Sequence, residues 1–368
     1  MPNALTEPPL RFVQIGDLHL TGNGLQNHRD FICIVHELNR HVGGNIDFVY
    51  LPGDNADDGT SSQFDLVRAG LNELRVPWRA IPGDHDFKPR SLENFYRGLS
   101  ARKLPYAEEV RDHVCLFLDV VSEGTGGPDF RLGSAQFSWL KDHLGAAQRD
   151  DKACIVFMHA YPADLGEEAA KLSRLIDESG TLLVATGHTH YNEIAHDGRT
   201  IYAATRSTGQ IEEGPVGFSF AAIDGESVSW RFKPLASPWP FVMITSPADR
   251  RLAFTEAEPA TPRFVRACAW GAAAVSHAEC RIDDGAWQPM SIEGNGVLAA
   301  PIAAQPDHFR LEVRVTDADG ASAADLIECG SDGARRVSTG SDAGTIGAWP
   351  ERHLLGTQLG PNRNGRKW

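Results

Sequence analysis

The residues of this chain that could do chemistry fall in five short clusters: Asp17 with His19, Asp54, Asp84 with His85, His159, and His188 with His190. Each follows directly on a stretch that reads as a β-strand, so converging strand ends would bring the side chains together. Carboxylate and imidazole donors in one place suit Mn, Fe, Zn, Co or Ni, because Ca and Mg favour shells built from oxygen alone. A pair of four-coordinate metals needs about eight protein ligand bonds, which the clusters supply if one carboxylate bridges. A DxH or a GHTH taken alone is a polar turn. The repeated succession of strand and then ligand is what points to a metal centre.

The other clusters are arranged to meet the stretch Ile81, Pro82, Gly83, Asp84, His85, Asp86 and Phe87. Residues 76–81 read as a short strand interrupted at Pro77, and Gly83 permits a tight turn that delivers Asp84 and His85 at the strand's carboxyl end. Ligands bind at that edge in open α/β sheets. The same unit recurs along the chain. Residues 11–15 and 47–51 read as strands, followed by helices over 25–41 and 62–74; the first helix carries Phe31, Ile32, Val35 and Leu38 at helical spacing. Further helices are expected over 91–103, 135–144 with Ser134 as N-cap, and 167–178. Strands are expected over 113–121, 153–158, 181–186, 200–204, 217–223 and 227–232. The unbroken apolar runs at 153–158 and 181–186 have the look of strands buried on both faces.

The ordered motifs DxH (Asp17, His19), GDxxD (Asp54, Asp57), GDHD (Asp84, His85, Asp86), a lone His159 after a strand, and GHTH (His188, His190) resemble those of the calcineurin-like metallophosphoesterases. The resemblance covers roughly residues 1–235, and the wording of 53–57, 82–87 and 136–140 is most similar to the class III cyclic-nucleotide phosphodiesterase branch. It implies an α/β class, with a four-layer metallophosphoesterase β-sandwich flanked by helices. It also implies that Asp17, His19 and His190 hold one divalent transition metal, that Asp84, His159 and His188 hold a second, and that Asp54 bridges. His85 would assist the leaving group during in-line attack by a metal-bridging hydroxide, with Asp57 and Asp86 orienting imidazoles.

In two places the chain departs from the family pattern. Asp84 stands where the family has Asn, and the extra anion disfavours a dianionic monoester more than a monoanionic diester. Residues 158–162 read Met, His, Ala, Tyr, Pro, so a second histidine often seen beside His159 is missing, and Tyr161 is either a base or sugar contact or simple packing. The expected activity is hydrolysis of a small phosphodiester, such as a cyclic nucleotide. The alternatives are phosphomonoesterase or nuclease chemistry on the same site, and a non-catalytic binding protein with this fold.

A chain of 368 residues with 42% apolar composition suggests two domains and a tail. Prolines at 234, 238 and 240 mark a linker, so the expected division is a catalytic domain over 1–235, an immunoglobulin-like all-β sandwich over 236–329 and an extended tail over 330–368. The tail carries Trp349, Leu354, Leu355, Leu359 and Trp368, more large apolar groups than a solvated segment needs, and suggests a homo-oligomer contact or a brace. Its basic end, 363–367, reads as a solvated terminus. A net charge of −14 disfavours nucleic acid polymers and anionic membranes as partners and leaves small phosphoesters.

No secretory signal or membrane span is evident, which points to the cytoplasm. The six cysteines show no CxxC spacing; Cys33, Cys115 and Cys154 read as buried free thiols, and Cys268 and Cys280 as unpaired in a reducing compartment. His28, His36, His41, His113, His143 and His196 read as surface or helix residues, and Arg206 as a surface ion pair or, less readily, a phosphate contact.

Overall fold

Alternation along the strands decides how this chain packs, because successive side chains of a strand leave on opposite faces. The structure, a computed structural model, describes residues 8–254, 264–302, 308–330 and 344–356. In chain order the first part contains β1 (Leu10–Gln14), α1 (Gln26–His41), β2 (Phe48–Leu51), α2 (Ser61–Glu73), β3 (Trp78–Ala80), α3 (Glu93–Leu99), β4 (Tyr106–Val110), β5 (His113–Phe117) and α4 (Gly133–Arg149). It continues with β6 (Ala153–Phe157), α5 (Ala169–Asp177), β7 (Thr181–Thr186), β8 (Glu193–His196), β9 (Ile201–Ala204), β10 (Gly217–Asp224) and β11 (Ser227–Pro234).

These strands form two sheets, ordered β11-β10-β1-β2-β3 and β4-β5-β6-β7-β9-β8. Their inner faces meet in one core, in which Phe12, Phe48 and Tyr50 of the first sheet pack against Phe117 and Phe157 of the second. Their outer faces carry Val13, Val49, Leu116 and Val156, which share a second core with Phe31, Ile34 and Val35 of α1, Phe64 and Val67 of α2, and Leu140 and Leu144 of α4. The result is helix, sheet, sheet, helix. Strands covered on both faces need apolar residues at every position, which is why β2 and β6 carry such continuous runs.

The central strands β1, β2 and β3 are parallel to one another, as are β5, β6, β7 and β9, so each sheet presents several carboxyl ends along one edge. The loops bearing the five clusters all leave from that edge. Two antiparallel edge strands, β4 and β8, were not expected from the sequence. The helix expected over 91–103 stops at Leu99, where Ser100 turns left-handed. Ser134 does not cap α4; instead the carboxylate of Glu168 accepts the Leu132 and Gly133 N–H groups at 2.6 and 3.1 Å. His196 lies buried in β8 and not at the surface, and Cys33 is exposed, while the other five cysteines are buried and all six are free thiols.

The later part contains β12 (Phe241–Ser246), β13 (Phe264–Trp270), β14 (Val275–Ile282), β15 (Gln288–Pro289), β16 (Ser291–Ile292), β17 (Val297–Pro301), β18 (His308–Asp317) and β19 (Ser322–Gly330). They make two antiparallel four-stranded sheets, β12-β13-β17-β16 and β15-β14-β18-β19. Alternation again divides the work. Val242, Ile244, Val265 and Ala267 face the second of these sheets, whereas Met243, Cys268 and Trp270 join the outer core of the first part. Polar contacts fix this junction: Arg266 pairs with Asp224 at 2.6 Å, and the Arg11 guanidinium donates to the Asn295 carbonyl at 2.7 Å.

Residues 344–356 cross back over the first part as a strap. Ile346 donates to the Ile194 carbonyl at 2.8 Å, and Ile346, Trp349 and Leu354 complete the core between the two large sheets, while Leu355 is exposed. Leu359, Trp368 and the basic stretch 363–367 lie outside the described residues. The strap is locked to β19 by a bidentate pair between Arg352 and Asp325, both buried, with Arg231 also 3.3 Å from that carboxylate. Burial alone would raise the Asp325 carboxyl, but Arg352 and Arg231 outweigh it and hold the group below its ordinary value. A carboxyl depressed in the folded state stabilises the fold above the unfolded value of about 3.9 and loses that contribution as pH falls through the folded value.

Removing the carboxylate strands two guanidinium groups in the interior. Asp325→Ala is expected to cost about 3–5 kcal/mol in urea unfolding at neutral pH. Glu328→Ala, which breaks only solvent-accessible pairs with Arg250 and Arg251, should cost under about 1 kcal/mol.

Candidate metal centre

The turn after β1 delivers Asp17 and His19, the turn after β2 delivers Asp54, and the turn after β3 delivers Asp84 and His85. From the facing sheet, β6 delivers His159, and β7 delivers His188 and His190. The structure brings these side chains together. Donor atoms of Asp17, His19, Asp54 and His190 lie within 4.8 Å of one another, and so do those of Asp84, His159 and His188. Asp54 faces both groups, with Oδ2 3.6 Å from His19 Nε2 and Oδ1 3.6 Å from His159 Nε2. Asp84 Oδ1 lies 3.2 Å from His159 Nε2 and 3.4 Å from His188 Nδ1.

Several donors are aimed by a contact on their far side. His159 Nδ1 donates to the Pro52 carbonyl at 2.8 Å, which turns Nε2 toward the carboxylates. His19 Nδ1 lies 3.2 Å from Asp57 Oδ1, turning its Nε2 inward to within 3.0 Å of His190 Nε2. Asp17 Oδ2 accepts the His188 N–H at 2.7 Å, and its main-chain oxygen accepts the Ser207 hydroxyl at 2.8 Å. The ring of Phe130 packs against His188 at 4.6 Å.

Backbone strain is concentrated here. His19, Asp54, His188 and His190 have φ of 43°, 48°, 65° and 62°, a region that costs a non-glycine residue of order 1–3 kcal/mol. Close approach explains two of the glycines. A Cβ on Gly53 would lie 2.3 Å from His159 Nδ1, and one on Gly83 would lie 2.1 Å from Asp54 Oδ1. Asp86 staples these turns together, with its oxygens accepting from Gly83 N, Asn55 N, Asn55 Nδ2 and Ala56 N at 2.8–3.2 Å. The expectation that Asp86 orients an imidazole therefore gives way to a structural role, since its hydrogen bonds go to the loops; of the pair Asp57 and Asp86, it is Asp57 that meets imidazoles.

The charges of the cage are out of balance. Burial pushes Asp17 up to about 6, and burial together with the Asp84 charge pushes Asp54 well above the carboxylate range. Burial lowers His19 to about 4. Burial would also lower His159, but Asp54 and a hydrogen bond to Asp84 hold it up at about 10. Burial opposes ionisation of Asp84 as well, yet hydrogen bonds from His159 and His188 hold it low. Asp17 Oδ1 is buried with no hydrogen-bond partner among the described residues. Mutually repelling carboxylates, inward-turned imidazole nitrogens and a buried oxygen without a donor together fit divalent cations.

Against the cage, the opening is polar. His85 and Asp57 are about a fifth exposed at 22% and 21%, whereas Asp17, His19 and Asp54 are buried. His85 Nδ1 meets the Asp57 main-chain oxygen at 2.8 Å and Asp57 Oδ1 at 3.1 Å, leaving Nε2 as its other ring nitrogen. Lys88 and Gln210 also contact Asp57 and were missed by sequence reasoning, as was Phe130. Gln210 sits in the loop after β9, where the rule of polar residues following a strand could have found it.

Arg206 is fully buried, paired with Glu213 at 3.2 Å and lying over the Phe232 ring, so it is neither a surface ion pair nor a phosphate contact. Tyr161 is buried beside Tyr202 and packs without facing the opening.

The sequence profile of the calcineurin-like phosphoesterases matches residues 10–192, the span that carries all seven cage donors. Among similar proteins, the 3',5'-cyclic adenosine monophosphate phosphodiesterase of Escherichia coli strain K12 is 25% identical over 197 residues, covering 52% of this chain and 70% of the relative. The glycerophosphodiester phosphodiesterase of Enterobacter lignolyticus is 31% identical over 144 residues, covering 38% of this chain and 50% of the relative. A dimetal phosphatase from Danio rerio shares the fold, with a TM-score of 0.50 at 15% identity, over 63% of this chain and 98% of that one. Motif order, strand-end geometry and this match agree: the chain belongs to the calcineurin-like phosphoesterase family, hydrolases of phosphoric ester bonds.

Proposed function

We propose that the chain is a binuclear metal-dependent phosphodiesterase acting on a small phosphodiester, with a cyclic nucleotide as the leading candidate. The observation that carries this reading is the meeting of seven buried donors in two adjoining groups, with Asp54 facing both. Asp17, His19 and His190 would hold one cation, Asp84, His159 and His188 the other, and Asp54 would bridge. Two bound divalent cations from the Mn, Fe, Zn, Co and Ni set would supply an activated water and charge neutralisation on the phosphoryl oxygens. The chain's own residues do the rest. The buried cage excludes bulk solvent, and His85, steadied through Nδ1 by Asp57, gives a proton from Nε2 to the departing oxygen as its bond to phosphorus breaks.

Asp84 directs the choice of ester. Where an amide would be neutral, a third carboxylate offsets the cations further, so a dianionic monoester loses more of their attraction than a monoanionic diester does. One extra charge at about 5 Å in an effective dielectric of about 40 corresponds to roughly 1.7 kcal/mol, between about ten- and twentyfold. The relatives named as cyclic adenosine monophosphate and glycerophosphodiester phosphodiesterases support diester chemistry.

We further read the chain as a catalytic domain over 1–235, an immunoglobulin-like sandwich over 236–329 and a tail over 330–368, with the last two bracing the first or a second copy of the chain. The facing four-stranded sheets and the strap's contacts support this reading. Six free thiols fit a reducing, cytoplasmic setting.

Metal analysis of the purified protein is expected to find two transition-metal equivalents per chain, with Asp54→Ala losing both; a metal-free wild type would defeat the reading. With both metals retained, His85→Ala should lower kcat on diesters with alkoxide leaving groups by about 10²–10⁴, and far less on bis-p-nitrophenyl phosphate. Asp84→Asn should raise the ratio of monoester to diester kcat/KM about tenfold, and an unchanged ratio would remove the electrostatic argument.

A further inference from the structure

Asp57 is where the cage meets the opening, and more groups converge on it than the reading of the reaction uses. Its Oδ1 lies 3.2 Å from His19 Nδ1, 3.1 Å from His85 Nδ1 and 3.0 Å from Gln210 Nε2. Its main-chain oxygen accepts from His85 Nδ1 at 2.8 Å and from the Lys88 ammonium. The Lys88 nitrogen is also 4.0 Å from Asp57 Oδ2. The hydrogen bond from His19 is the largest cause of a carboxyl held far below its ordinary value, and the Lys88 charge adds to it.

Gln210 reaches the carboxylate at Oδ1, while the Lys88 ammonium holds the main-chain oxygen of the same residue and stands 4.0 Å from Oδ2. Gln210 is exposed, yet its backbone is anchored deep in the site: its N–H donates to Ser207 Oγ at 2.9 Å, and that hydroxyl donates to the Asp17 carbonyl at 2.8 Å. Lys88, two-fifths exposed, comes from the loop after His85 and also reaches Asp58 Oδ1 at 3.4 Å. A carboxylate open to solvent on one side can rotate or trade partners with water. One held by an amide at one oxygen, with an ammonium near the other and bound to the residue's own main-chain oxygen, keeps a single orientation, and with it the tautomer and ring direction of His85.

We propose that Gln210 and Lys88 are positioning residues that clamp Asp57, and through it hold His85 with Nδ1 as donor and Nε2 turned to the leaving oxygen of the substrate. This rests on the reading of His85 as the proton donor. It adds a claim about substrates: the clamp serves diesters whose leaving alcohol is a poor one, such as a sugar or alkyl alkoxide, because only these need the proton as the bond breaks. An activated aryl leaving group departs without it.

The test is a leaving-group comparison on enzyme with both metals bound, using 3',5'-cyclic adenosine monophosphate, methyl p-nitrophenyl phosphate and bis-p-nitrophenyl phosphate. Gln210→Ala and Lys88→Met should each lower kcat on the cyclic nucleotide about tenfold or more and by under about threefold on the aryl esters, with KM little moved; Lys88→Arg should recover most of the loss. A second readout needs no turnover. In metal-free protein labelled with nitrogen-15 at histidine, the His85 ring, assigned by its absence in His85→Ala, should be a single Nδ1–H tautomer in the wild type and a mixture in Gln210→Ala. If His85→Ala shows no leaving-group dependence, the proton-donor reading falls. If His85→Ala shows it while Gln210→Ala and Lys88→Met lose activity equally on all three esters, or keep the single tautomer, the clamp is overturned and the reading of His85 stands.

Discussion

The site depends on one unfavourable fact: three carboxylates and four imidazoles are buried together with more negative charge than the protein itself neutralises. Burying an unpaired ion costs several kcal/mol even after relaxation, and like charges side by side add to that. In the chain alone the strain shows as carboxyls at Asp17 and Asp54 pushed up and an imidazole at His159 held charged. Such a cluster persists only if something positive repays it, and two adjoining donor sets with a shared carboxylate are the geometry a pair of divalent cations would repay.

That cost explains why the surrounding structure is so tightly specified. Donors must be held in place before any cation arrives, so they sit at the ends of strands belonging to two packed sheets and not on free loops. Four of them occupy left-handed backbone, which the fold tolerates because neighbouring groups leave no alternative: Asp86 ties the Asp54 and Asp84 turns together, and the loop after β9 grips the Asp17 carbonyl from above. Local strain of this kind is kept where function needs it and offset by the aromatic core between the sheets.

What could be read from the sequence follows the same division. Strands buried on both faces announce themselves as apolar runs, so β6 and β7 and the polar turns after them were legible, and the donors in those turns meet in space. The antiparallel edges were not legible, because β4 reads Tyr-Ala-Glu-Glu-Val with two charges and β8 is four residues long with His196 and Glu193 at its ends. A side chain whose partner lies far along the chain was equally hidden. Ser134 has the right type for an N-cap, yet Glu168 reaches the first turn of α4 from another loop. Asp86 sits in a motif where a carboxylate beside an imidazole is the natural guess, but its bonds go to backbone instead. Gln210 and Lys88 carry no motif at all; only the folded chain puts them on Asp57.

The later β sheets and the strap belong to the same chain of support. The carbonyl of His353 accepts from Asn192 Nδ2 and from Arg206 Nη2, each at 3.0 Å, and Arg206 N donates to Asn192 Oδ1 at 2.9 Å. Asn192 lies two residues beyond His190, and Arg206 directly precedes Ser207, whose N–H donates to the His190 carbonyl. On its other side the strap is fastened to β19 by Arg352 and Asp325. A continuous run of buried polar contacts therefore links the far β unit to the turn that carries a cage imidazole. Such networks act rigidly only when every member is satisfied, because an unpaired buried group costs more than the bond it lost. A segment some 160 residues beyond His190 in sequence thus belongs to the scaffold that sets where His190 points.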